Sequence, residues 1–443
     1  MSSALATRIS QEHASTASSL PASLISLQRR RNAVQALETQ GLPGSRDENW
    51  KYANLRPLEK VRFAPATHTP EALRAIELPP LIAGYSRYTF VDGVLVPELS
   101  APAERPGISV QSLRQRAVST AQPSAPDARF ALLNEAFATD GISIQVAAGT
   151  DCEACLEILF VATTDSQAGA SYPRIELQVG DGARFGLIER HLGHASSFVN
   201  GVVDISVGRG ASVQHYRVQQ MGSRALWFDT LFATVARDAK YRVHMVSLGA
   251  LSARSTVNIQ LAGERAETGY YVASVADVHQ GHDHFVLVDH LVPRAVTEQT
   301  FRGVAAGRAR VGFNGKVVVR KDAHGTDSRQ SLRGLLAGPE AEIDVRPQLE
   351  IYTDDVKCSH GATAGKLDDD MLFYLLSRGL DRDTAQRLLK WAFLEDVVAR
   401  IEVPELRRQI EQSLAGHLNE TAHLQGLPYT ADGYRASDTP VLR

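Results

Sequence analysis

Four short tetrads recur along the middle of the chain: GDGA (180–183), GRGA (208–211), ARDA (236–239) and GERA (263–266). Their alanines lie 28, 28 and 27 residues apart. Weaker echoes follow at Arg308-Ala309 and Glu340-Ala341. A fixed period in this range, with short β-branched and aromatic runs inside each unit, marks a solenoid whose coils stack on one shared core. Each unit carries two strand-like runs, such as 185–189 and 202–207. That pattern predicts a parallel β-helix, in which each strand pairs with its equivalent in the next coil. A sandwich of hairpins would also space short strands evenly, but it would not need the tetrad to return.

The sequence on either side has a different texture. Residues 24–40 are partly helical in spacing and end at Gly41 and Pro43; a short helix is expected over 129–138, followed by an alternating strand through Ile142, Ile144 and Val146. Residues 61–128 give no assignable pattern. After Gly365 the period turns helical: Asp368, Asp369 and Asp370 fill a first turn where carboxylates favour the positive end of the helix dipole, and Gly379 stops it. Further helices are expected over 382–401 and from Pro404. A helical cap over an open solenoid end is the expected remedy for unpaired strand edges. The reading is therefore a mainly β chain: an N-terminal helical or irregular region (1–140), a parallel β-helix core (141–365), a C-terminal α-helical domain (366–420) and a loose tail (421–443).

Composition narrows the function classes. Forty-seven basic and 50 acidic residues leave a formal charge of −3, which gives no overall attraction to nucleic acid or an anionic membrane. No apolar run reaches the roughly 20 residues of a membrane span. Three cysteines, Cys152, Cys155 and Cys358, are too few and odd in number for a secreted disulfide scaffold, so a reducing compartment is expected. Residues 1–30 are rich in Ser and Arg with Glu12 as the one acid, faintly like an organelle transit peptide. The simpler expectation is a frayed terminus.

Candidate chemistry is sparse. GATAGKL (361–367) has one residue too few between its glycines for a phosphate loop, and a leucine where Mg²⁺ needs a hydroxyl, so no nucleotide is expected on this chain. Cys152-x-x-Cys155 has metal-ligand spacing but no second pair, and reads as two small residues at a strand entry. His282, His284 and His290, with His279 nearby, would place imidazoles on one face of a strand, as metal ligands or as partly exposed polar positions on a solenoid wall. Cys358 and His360 are two apart and point the same way on an extended strand. Thiolate beside imidazole suits iron or zinc. Two donors are an incomplete set, so further ligands would come from elsewhere, such as a second subunit. A Cys–His nucleophile pair and a purely structural role stay open for the same residues.

LEIYTDDVKCSHGATAGKLDDDMLFYLLSRGL (349–380) closely resembles the C-terminal signature of the SufB/SufD family of iron–sulfur cluster assembly proteins. The likeness extends through HFVLVDH (284–290), FRGV (301–304) and GKVVVRKDAHGTDSRQ (315–330), and DENWKYANLRPL (47–58) is similar to the SufD branch rather than SufB. The resemblance implies a right-handed parallel β-helix between helical regions. It also implies a non-catalytic subunit that joins a SufB-like paralogue and a separate SufC-like ATPase in a SufB–SufC₂–SufD complex, with a homodimer possible in isolation. His360 matches a histidine of that family thought to ligate iron or a transient cluster shared with the partner, and Cys358 matches its neighbour. The SufB scaffold cysteine aligns near Leu332, which offers no sulfur. The expected setting is the bacterial cytoplasm, with plastid stroma as the alternative. Two competing readings are a metal-free solenoid scaffold and a carbohydrate-active β-helix. The second needs paired carboxylates on one face, and adjacent Asp354 and Asp355 would point to opposite faces of a strand.

Overall fold

The computed structural model describes residues 3–44, 46–115 and 127–418. Each tetrad closes as a β-turn. The N–H groups of Ala183, Ala211, Ala239 and Ala266 donate to the carbonyls of Gly180, Gly208, Ala236 and Gly263. The third residue is left-handed, with φ of +67° at Gly182, +62° at Gly210 and +59° at both Asp238 and Arg265. Glycine adopts that conformation freely. Asp238 and Arg265 pay for it with a coil-to-coil ion pair, Arg265 Nε to Asp238 Oδ1 at 2.6 Å. The fourth residue is a fully buried alanine, because the corner leaves room for one methyl.

The corner continues beyond the expected period. Backbone bonds link Gly182 to Arg209, Gly210 to Arg237, Asp238 to Glu264, Arg265 to Pro293, Arg294 to His324 and Gly325 to Asp355. Arg294 and Gly325 take the same left-handed φ. The later members of the series are thus 292–295 and 323–326. The echoes at Arg308-Ala309 and Glu340-Ala341 belong to the opposite corner, where Ala309 and Ala341 close turns onto Ala306 and Gly338.

Two sheets result. One runs through Asp151–Val161, Arg184–Gly193, Ser212–Met221, Lys240–Gly249, Glu267–Ala276, Val296–Ala305, Thr326–Leu336 and Val356–Gly365, all parallel neighbours. The other runs through Ile142–Val146, Arg174–Val179, Phe198–Val207, Leu226–Val235, Ser252–Leu261, Gly281–His290, Arg310–Val319 and Glu342–Ile351. The chain is therefore a parallel β-solenoid. Strands Ser86–Val91 and Ile108–Ser112, from the stretch left unassigned, extend the two sheets at the N-terminal end.

Alternate side chains fill the solenoid interior, with Phe185, Val213, Tyr241, Val243 and Leu332 of one sheet meeting Trp227, Val257 and Val311 of the other. The outer face of each sheet is covered separately. Helices α1 (Ser3–Thr16) and α2 (Leu27–Gln40) pack with Trp50 onto Phe198, Leu226 and Phe228. A short helix α3 (Pro70–Arg74) follows them, and α4 (Arg129–Phe137) joins the same layer through Phe130, stacked on both Trp50 and Phe228. Residues 3–16 are thus a packed helix rather than a frayed terminus, because Leu5 and Ile9 have an apolar surface to bury.

The C-terminal helices are α5 (Asp369–Ser377), α6 (Arg382–Val398) and α7 (Pro404–His417). They do not cap the solenoid. Leu394, Val397, Val398, Leu406 and Ile410 lie against Val246, Tyr271, Ala273 and Val304 on the outer face of the first sheet. Arg302–Asp396, Arg400–Glu298 (2.8 Å) and Gln220–Ser413 (2.6 Å) fix them there. An apolar sheet face offers these helices more area than strand edges at the end could. The expected tail over 421–443 lies outside the described residues.

The interior also encloses charge. Arg217 donates to Glu189 at 2.8 and 2.9 Å and to Asp229 at 2.6 Å, and His191 and His215 lie 2.7 and 3.0 Å from Glu189. Burial opposes ionisation of Glu189, but the Arg217 charge and the histidine hydrogen bonds outweigh it and hold the carboxyl well below its usual range. Burial pushes Asp229 up despite the same arginine. Arg217→Met should lower stability by about 3–5 kcal/mol, because it strands two buried carboxylates. Urea denaturation checks this, and a loss under about 1 kcal/mol would contradict the assigned role of the cluster.

At the α6–α7 contact, burial and then the neighbouring Glu411 push Glu395 up to about 7. Its Oε2 has no hydrogen-bond partner. The folded pKa exceeds the unfolded one, so the penalty is absent below about pH 4, grows as pH rises, and is complete above about 7. Glu395→Gln should therefore stabilise the protein by about 1–2 kcal/mol at pH 8, allowing for partial solvent exposure, and by almost nothing at pH 4. Thermal unfolding at the two pH values checks this, and equal effects would contradict it.

Candidate metal centre

Because the helices lie on the flank, the C-terminal end of the solenoid is open among the described residues. Glu342–Ile351 pairs only with Arg310–Val319, and Val356–Gly365 only with Thr326–Leu336, so among the described residues each has one unpaired edge. Ile351 and Tyr352, beside this end, are exposed. Cys358 and His360 both sit on the outermost strand, in register with Ser328 and Gln330.

That register defines their direction. Cys358 continues the inward column Phe185, Val213, Tyr241, Thr268, Thr297, Ser328. His360 continues the neighbouring column Leu187, His215, Val243, Tyr270, Gln299, Gln330. Both side chains therefore stand over the mouth of the solenoid, on the same side of the strand and about 6.5–7 Å apart at their Cα atoms. Cys358 is half-buried against the apolar group Val317, Val319, Ala323 and Leu349, whereas His360 is exposed. Burial and then the nearby Asp327 charge push the Cys358 thiol up, partly offset by a backbone hydrogen bond from Ser328. A metal ion reaching this sulfur would have to displace a proton. Among the described residues, no three His, Cys, Asp or Glu side chains converge as a metal site. Cys358 and His360 are at most part of one, with the open edge beside them free to receive the remainder. Leu332 is buried in the interior.

The other candidates resolve differently. His282, His284 and His290 do share a face, but it is the interior one and each is buried. They are neither wall positions nor a ligand cluster. His282 contacts Ser274 Oγ and the Gly249 carbonyl, His290 contacts Thr297 Oγ1 at 2.7 Å, and His284 packs between Phe301 and Phe313. Burial lowers their pKa values to about 4, 3 and 4 for His282, His284 and His290. His279 is exposed on a turn, away from them. Cys152 and Cys155 are not merely small residues at a strand entry; they form a disulfide. A bulge between Cys152 and Leu156 brings their Cα atoms within 5.6 Å, inside the range a disulfide can span. Residues 361–365 belong to the extended strand, a shape that cannot wrap around a phosphate. Asp354 and Asp355 lie in the bend before it rather than on a strand.

The interior cluster around Arg217 escaped the sequence reading. Its signal was present: Glu189 and Arg217 are 28 residues apart, one coil, in phase with apolar inward positions.

Comparison with known proteins gives a consistent picture. The family model described as "SUF system FeS cluster assembly, SufBD core domain" matches residues 160–393. The chain is 30% identical to the iron–sulfur cluster assembly protein SufD of Escherichia coli, over 85% of this chain and 89% of that one. It is 28% identical to the iron–sulfur cluster assembly SufBD family protein slr0076 of Synechocystis sp., over 88% and 91%. Protein ABCI7, chloroplastic, of Arabidopsis thaliana is 30% identical over 56% of this chain and 53% of its own.

Proposed function

We propose, from the premise that this chain belongs to the SufBD family of iron–sulfur cluster assembly proteins, that it acts as the SufD-like subunit of a SufB–SufC₂–SufD complex. In that complex it helps iron enter and a nascent cluster form at its junction with a SufB-like paralogue. The observation that carries this reading is the placement of Cys358 and His360 on the outermost strand, over a mouth that among the described residues is open, with a free edge on each sheet. Free edges invite strand-to-strand association. A second solenoid abutting this end would bring further donors to the two already there. A cluster held between two chains is also easier to release than one enclosed in a single chain.

The chain supplies no catalytic group in this scheme. ATP hydrolysis would fall to a SufC-like subunit docked on the C-terminal helices, where α5 leaves Met371, Phe373 and Tyr374 exposed. The Arg302–Asp396 and Arg400–Glu298 pairs tie α6 and its flank to strand Val296–Ala305. That strand is separated from the outermost one only by Thr326–Leu336. Nucleotide-driven movement of the helices thus has a short mechanical route to the mouth. Iron would replace the Cys358 proton, while His360 binds through a neutral ring nitrogen. Among the described residues no helix is long and apolar enough to cross a membrane. A cytoplasmic or plastid-stromal setting is part of the proposal.

Co-expressed with its SufB- and SufC-like partners and purified anaerobically, the His360→Ala complex should lose at least about half its iron and acid-labile sulfide. Subunit ratio and melting temperature should stay unchanged, because the residue is exposed. Unchanged iron and sulfide would instead support a metal-free scaffold.

A further inference from the structure

The inward column that ends at Cys358 begins, at the other end of the solenoid, at Cys152, which registers with Phe185. This N-terminal mouth is also partly open. Strand Ser86–Val91 pairs with Asp151–Val161 only from Leu156 onward, so residues 151–155 have a free edge among the described residues. Between Cys152, opposite Phe185, and Leu156, opposite Leu187, three residues face the single residue Gly186. A Cβ at Gly186 would lie 1.7 Å from the Glu153 carbonyl oxygen, so the bulge requires glycine there. The Cys152–Cys155 disulfide spans the base of that bulge.

The two sulfurs are not equivalent. Cys155 is fully buried, whereas Cys152 is partly exposed. Cys152 also lines a groove of about 520 Å³, with Arg105, Gly107, Ala147, Thr150 and Asp151. That volume falls within the ~300–1,000 Å³ of small-molecule sites. Asp151 and Glu153 are both engaged by Arg184, at 2.8 and 3.2 Å. Arg105 bonds the Gly84 carbonyl through Nη2, but its Nε is buried without a hydrogen-bond partner. The groove therefore pairs a partly exposed disulfide cysteine with the Arg105 guanidinium on its wall. A disulfide closing so short a loop removes less chain entropy than one that closes a long loop.

We propose that Cys152–Cys155 is a thiol–disulfide exchange site that takes a small carboxylate-bearing thiol. The carboxylate sits on Arg105 and the thiolate attacks Cys152 Sγ, the sulfur facing the groove. The Cys152–Cys155 bond breaks, and its electron pair passes to Cys155 Sγ, which takes up a proton. Cys152 is left in a mixed disulfide with the small thiol. A second thiolate attacks the outer sulfur, releasing the small-molecule disulfide and the Cys152 thiolate, which is protonated in turn. Two thiols are oxidised to one disulfide, and the protein disulfide is reduced to two thiols. Loss of the covalent tie frees the bulge at this mouth.

The test treats the oxidised full-length protein, without denaturant, with 3-mercaptopropionate or cysteamine at equal thiolate concentration, and every rate is divided by the same thiol's rate on 2-hydroxyethyl disulfide, which removes the difference in intrinsic nucleophilicity that follows thiol pKa. Reactions are quenched in acid and mapped by peptide mass spectrometry. The site predicts a 3-mercaptopropionate adduct on Cys152 and none on Cys155. It also predicts a rate about 5-fold above that for cysteamine, the size of one partly exposed charge contact. The preference should vanish in Arg105→Gln while slow exchange persists. Reduction only in denaturant, adducts on Cys155, or equal rates for the two thiols in the unaltered protein would each overturn the proposal.

Discussion

Parallel pairing between successive coils is the constraint on which the rest of the structure depends. Once Ser212 lies beside Arg184 and Lys240 beside Ser212, every inward position is fixed above its equivalent one coil earlier. A shift of one residue would turn each interior side chain outward, so the register carries the whole core. It also determines chemistry at the two ends. The same column opens with Cys152 and closes with Cys358, the two places where a continuous interior stack meets solvent.

Between those ends the interior is not uniformly apolar. Glu189, Arg217 and Asp229 form a buried ionic cluster, and Gln299 and Gln330 stack on one another with Gln330 Nε2 donating to Gln299 Oε1 at 3.0 Å. These bonds offset part of the cost of burying the groups, although Arg217 Nη1, Asp229 Oδ1, Gln299 Nε2 and Gln330 Oε1 have no hydrogen-bond partner. The covering helices lie on the flanks, N-terminal ones on one sheet and C-terminal ones on the other. This division of labour leaves the C-terminal mouth without a cover among the described residues. A cap there would have protected the edges, as a solitary solenoid requires. No such cap is present among the described residues.

Much of this was legible in the sequence, for physical reasons that differ by element. The tetrads revealed the solenoid because a left-handed turn position and a methyl-sized corner restrict residue choice once per coil. The later corners at 292–295 and 323–326 were missed because Val292-Pro293 replaces the small and polar opening of the tetrad, the 323–326 stretch AHGT ends in Thr rather than Ala, and the spacing lengthens as loops grow. Cys358 and His360 were placed on one face by alternation alone. What alternation could not give was that this face is the interior, or that the same logic would bury His282, His284 and His290. The flanking position of α6 and α7 was equally hidden, since an apolar helix stripe does not say which surface it will cover. The disulfide depended on a bulge, a local irregularity with no periodic signature.

The central claim is that His360 at this open mouth ligates iron shared with a partner chain. Pulsed electron–nuclear hyperfine spectroscopy of the reduced, cluster-loaded complex, with this subunit alone labelled with ¹⁵N-histidine, tests it most directly. The account predicts a strongly coupled ¹⁵N signal that disappears in His360→Ala. A loaded complex with no histidine coupling, or with coupling that survives the substitution, would contradict it.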